Sequence, residues 1–154
     1  MTLPLRGLRA LVGVGALSVL LVTGCGSGQD GEQAGTQDGA PVTVHSLEGE
    51  GYTALVRTSG ADGQDAGPLT GTLVVGPGDC LALSAQDQPH LVVWPEGAAT
   101  LDGQPGMTQP GHGEMRVGTD VTMEVRQVDL TELDGIPEQC RQGFAETVLV
   151  VVDE

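Results

Sequence analysis

Met107, His112 and Met115 fall within nine residues of one another, bringing two thioethers and one imidazole into a single stretch. Soft sulfur donors with an imidazole suit copper in an extracytoplasmic protein, so a copper-handling loop at these three positions is one reading. The plainer reading makes both methionines loop cover or core, with no metal bound, and the stretch lacks the longer spaced His and Met pattern of the periplasmic copper chaperones. The other histidines, His45 and His90, stand at no zinc-binding spacing. The chain contains no Gly-x-Ser-x-Gly, no His-Glu-x-x-His, no phosphate loop and no lysine for a Schiff base. Acidic neighbours such as Asp62 with Asp65, or Asp129 with Glu132 and Asp134, are expected by chance among 21 carboxylates and read as solvated surface. EF-hand spacing is absent. The chain therefore reads as a non-enzyme without a cofactor, and a hydrolase using unrecognised carboxylates is the third alternative. Trp94, just before Pro95, ends an aliphatic run. Such a residue is either a core plug whose N–H reaches water or an aromatic binding anchor.

The remaining reactive side chains are three cysteines: Cys25, Cys80 and Cys140. Cys25 comes after a segment built like a secretory signal. Arg6 and Arg9 precede the apolar run Ala10–Val22, whose 13 residues are too few to cross a hydrocarbon core that needs about 20. Val22, Thr23, Gly24 and Cys25 then resemble the lipobox of bacterial lipoproteins: an aliphatic residue, a small one, Gly or Ala, then Cys. Small residues let a peptidase reach the backbone, and the thiol can carry a thioether-linked diacylglycerol. The resemblance implies acylation of Cys25 and cleavage between Gly24 and Cys25. The expected location is then the outer face of the cell membrane, with the membrane itself the partner of the lipid anchor and two acyl chains giving stable attachment. With Cys25 acylated, Cys80 and Cys140 remain as an even pair in an oxidising compartment, and a disulfide between them is expected. Closing that loop would stabilise the fold by about 4 kcal/mol on a chain-entropy estimate.

The chain beyond the apolar segment has to position these residues. Residues 1–24 read as the removed signal peptide and 25–41 as the acylated N-terminus with a flexible acidic linker. Residues 42–154 read as a disulfide-closed β domain. The linker, GSGQDGEQAGTQDGAP, has no aliphatic side chain larger than Ala and nothing to bury. Strand signals then recur: Val42 and Val44, Tyr52–Thr58, Leu69–Val75, Cys80–Ser84, His90–Trp94, Glu114–Val117 and Asp120–Val128. In the last of these, Val121, Met123 and Val125 alternate with polar residues, the mark of a half-buried strand. Gly76, Pro77, Gly78 and Asp79 mark a hairpin connection. Thr100–Gly113 reads as a loop interrupted by glycine and proline. Pro137 and Glu138 open one short helical turn. Val148–Val152 is apolar at every position, which suits a strand covered on both faces or closed into a barrel. The predicted class is mainly β: a small closed or partly open barrel or sandwich of six to eight strands.

The charge is strongly one-sided. All 21 acidic residues lie after Cys25, against four arginines there. Such a surface repels phosphate backbones, so nucleic acid is excluded as a partner. The order of Gly71 and Leu73, Cys80, Leu81 and Leu83, Val92–Pro95, Val117, Gly118 and Asp120, and the late Cys140, resembles small lipoproteins of actinobacteria. The likeness spans roughly Leu69 to Val152, rests on structural residues, and implies an anchor, a disulfide and a compact β fold but no activity. The expected role is a non-enzymatic binding or envelope-support domain that meets a protein or small-molecule partner.

Overall fold

The computed structural model describes residues 41–59 and 65–152. The alternating segment forms β9 (Asp120–Asp129), with Met123, Val125 and Val128 buried between exposed or half-buried neighbours. It pairs antiparallel with β3 (Gly67–Val75) on one side and with β11 (Thr147–Val151) on the other. β3 turns through a 3-10 turn at Pro77–Asp79 into β4 (Leu81–Ala85), as the turn residues predict. β4 pairs antiparallel with β5 (Gln88–Trp94), and β5 pairs parallel with β11. The circuit β5, β11, β9, β3, β4 and back to β5 is a closed five-stranded barrel.

The barrel has an extension. β4 pairs with Gln88–Leu91 of β5, and farther along the strand β2 (Tyr52–Arg57) takes over, with Leu55 and Val56 opposite Val93 and Trp94. β1 (Val42–Gly49) pairs antiparallel with β2, and the two-residue β10 (Leu133–Asp134) lies parallel to the start of β1. β10 can approach because Gly135 has a positive φ of 91° and no side chain; a Cβ there would overlap the carbonyl of Val44. A separate three-stranded sheet consists of β6 (Ala99–Thr100), β7 (Gly106–Gln109) and β8 (Gly113–Arg116).

Mainly β and closed is thus what the structure has, but with eleven strands among the described residues rather than six to eight. The surplus comes from the short β6 and β10 and from β7, which lies inside the stretch expected to be loop. Gly103, Pro105 and Gly106 mask β7, yet Met107 and Gln109 turn the same face inward and Met107 pairs opposite Met115. Three 3-10 turns replace the single helical turn expected, one of them Glu138–Arg141 at the predicted place. Pro89 lies within β5, opposite Ser84.

Two cores result. The inner one joins Tyr52, Ala54, Val56, Leu73, Leu81, Leu83, Val92, Trp94, Met123 and Leu149 with Met107, Met115 and Ala98 from the three-stranded sheet and its approach. The outer one joins Val42, Val44, Leu55, Leu91, Val93, Leu133, Ile136, Val148 and Val150 with both half-cystines. The unbroken apolar run of β11 is explained by this division. Leu149 and Val151 face the inner core and Val148 and Val150 the outer one, so the strand is buried on both faces. Each fully buried aliphatic side chain contributes about 1.5–3 kcal/mol.

Candidate functional site

Cys80 and Cys140 form a disulfide across 60 residues, with Cα atoms 5.6 Å apart, and both are fully buried. Cys80 sits immediately after the turn Pro77–Asp79, and Cys140 within the turn Glu138–Arg141. The backbone permits the contact because Gly78, at φ 65°, lies against the carbonyl of Gln139 where a Cβ would not fit. An isolated parallel bridge from Thr53 to Cys80 ties the same point to β2. Burial on this scale makes the bond a structural staple rather than a thiol exposed for exchange.

Beside this staple lies an open cleft of about 400 Å³, lined by Glu48, Gly49, Gly51, Tyr52, Thr53, Gly78, Asp79 and Gln139. The Thr53 hydroxyl donates to Glu48 Oε2 at 3.3 Å. Sequence reasoning missed this opening. Its residues come from three segments far apart in the chain, and the only local signals, Gly49–Gly51 and Gly78, read simply as turns.

The predicted site residues fare differently. Met107 and Met115 face each other across β7 and β8 and are buried in the inner core. His112 is exposed in the turn between those strands, its backbone N–H donating to Gln109 O at 3.2 Å. The thioethers therefore face the core and the imidazole faces solvent. Among the described residues no group of three or more His, Cys, Asp or Glu side chains could hold a metal ion. Trp94 is 0% exposed, so it fills the core as a plug, and the expectation that its N–H reaches bulk solvent is corrected: the indole nitrogen is buried. A surface anchor at Trp94 is ruled out by the same burial. His45 is exposed, and His90 is half-buried with Nδ1 3.3 Å from the Thr147 hydroxyl. Gly24 and Cys25, with the signal reading and the linker reading up to residue 40, lie outside the described residues, as does Asp62.

The carboxylates of the described residues are all exposed except the half-buried Glu124. Asp129 is held below the ordinary carboxylate range, chiefly by the backbone N–H of Thr131 and then by its hydroxyl, at 2.9 and 2.7 Å. This is an N-cap of the turn Leu130–Glu132, not a catalytic arrangement. Two further polar residues escaped notice in the sequence. The Tyr52 hydroxyl donates to the carbonyl of Gly106, joining β2 to the three-stranded sheet. Gln109 is 2% exposed, a buried amide.

No family model, curated protein or solved structure matches this chain.

Proposed function

We propose that the protein is an exported lipoprotein, held on the outer face of the cell membrane through acylated Cys25, and that its β domain is a non-enzymatic binding domain. The observation that carries the reading is the cysteine arithmetic. With Cys80 bonded to Cys140, the third cysteine stands alone, at the end of an apolar segment and in a lipobox context. A buried disulfide is also what an oxidising, extracytoplasmic compartment favours. The solvated distribution of the carboxylates supports a binding or support role over hydrolysis. Burial of both methionines supports packing over copper handling.

We assign the cleft beside Glu48 as the end that meets a partner. A linker would join the domain at Val42, the start of β1, whereas the cleft opens at the other end of that eight-residue strand. At about 3.4 Å per residue the two ends of the strand are about 24 Å apart. The cleft's Glu48 and Asp79 favour a cationic group on the partner.

Metabolic labelling with a palmitate analogue tests the anchor. Label and protein are expected together in the membrane fraction and separate from it in Cys25→Ala; a wild-type chain that takes no label contradicts the reading. Site-specific photocrosslinking from Glu50 on the β1–β2 turn tests the binding role. A discrete adduct is expected in intact membranes, and no adduct counts against it.

A further inference from the structure

Two buried polar atoms, one on Trp94 and one on Gln109, have no partner within the protein. Trp94 Nε1 and Gln109 Oε1 are both buried and neither has a hydrogen-bond partner, although their residues are 0% and 2% exposed. Native proteins seldom leave such groups unpaired, because desolvation without a replacement bond is costly. Here the two are chemically complementary: the indole nitrogen only donates and the amide oxygen only accepts.

The fold brings them to one junction. Trp94 ends β5, and the next four residues turn back on themselves, with Ala98 N–H donating to Pro95 O at 3.2 Å. Ala98 packs in the same inner cluster as Trp94. In the register of β6 and β7, Ala99, the residue after Ala98, is opposite Thr108, the residue before Gln109. Gln109 shares its inward face with Met107, which packs in that cluster too. Donor and acceptor thus flank the same short turn, where the barrel meets the three-stranded sheet, yet they do not bond to each other. A Cβ added at Gly97, in that turn, would come within 3.5 Å of the ring of Pro110, the residue after Gln109.

We propose that this junction is a binding site for one internal water molecule, which accepts from Trp94 Nε1–H and donates to Gln109 Oε1. A buried water characteristically joins two to four otherwise unsatisfied polar groups. Such a site gives a polar residue at position 109 a purpose that packing does not: a methionine there would fill similar space but could not accept from water. The bridge would join the main barrel to the three-stranded sheet, in parallel with the bond from the Tyr52 hydroxyl to Gly106.

The chain has one tryptophan, so a ¹⁵N-labelled full chain in detergent micelles gives a single indole N–H resonance. Water-selective NOE and rotating-frame spectra separate a bound water from chemical exchange, because the two have opposite signs in the rotating frame. The wild type is expected to show an NOE from a long-lived water to the Trp94 indole proton. Gln109→Met is expected to abolish that NOE and move the proton upfield. Absence of the NOE in the wild type overturns the proposal, whether or not the variant folds. Persistence of the NOE unchanged in a folded Gln109→Met protein overturns it as well.

Discussion

The inner and outer cores are built from different materials and closed by different means. The inner core holds the fully buried Trp94 and Tyr52 and the methionines Met107, Met115 and Met123, surrounded by hydrogen-bonded strands. The outer core is mostly Val, Leu and Ile, with only the partly buried Phe144 as an aromatic neighbour. It is covered by β1, β10 and short turns rather than by a second complete sheet. Here the cover is secured by the Cys80–Cys140 bond. Regular strand pairing is enough to close one side of the domain, whereas the other needs a covalent tie because irregular chain offsets little of its own ordering entropy.

The largest effect should come from the inner core. Trp94→Ala is expected to destabilise the domain by about 3–5 kcal/mol, since the surrounding strands cannot collapse into the space. Denaturant unfolding followed by circular dichroism measures it. A loss under about 1 kcal/mol would mean the barrel is not packed around the indole.

The disulfide comes next. Replacing both Cys80 and Cys140 with Ala should cost at most about 4 kcal/mol. The loss should also be local. Hydrogen exchange is expected to accelerate first in residues 133–146, while β5 and β11 amides remain protected, as the division into two cores requires. Equal acceleration everywhere would break that division.

A smaller step is Ile136→Val, which trims one methylene from the outer core and should cost about 1 kcal/mol. The bond-free variant should feel it less, because its cover has already loosened. A double-mutant cycle detects that coupling.

The smallest effect concerns Asp129, whose lowered pKa comes from the Thr131 N–H and hydroxyl. Its folded value lies below the unfolded one, so its contribution is fully present above the ordinary carboxyl value of about 3.9. That contribution is lost as pH falls through the lowered folded value. The stability gap between wild type and Asp129→Ala should therefore narrow on acidification, and a gap that widens would contradict the assignment.

Much of this fold is written in local pattern. The alternation of Val121, Met123 and Val125 gives β9, the Gly76–Asp79 turn gives the β3–β4 hairpin, and the unbroken Val148–Val152 run indicates a strand covered on both faces. What stays hidden is nonlocal. β7 is masked because Pro105 and Gly106 look like loop, and its inward side becomes evident only when Met107 finds Met115. The opening beside Glu48, Asp79 and Gln139 depends on a disulfide bringing distant turns together. Trp94 is legible as a plug, but nothing nearby in sequence reveals that its indole nitrogen is buried away from bulk solvent.

Three cysteines with two fates, one acylated in the proposal and two bonded to each other, link the proposed anchor to the fold. Intact and peptide mass spectrometry of the protein extracted from membranes tests them together. It should find a mature N-terminus at Cys25 carrying a diacylglycerol, and Cys80 and Cys140 joined in one peptide that separates on reduction. An unmodified Cys25, or Cys80 and Cys140 alkylated quantitatively without reduction, would contradict it.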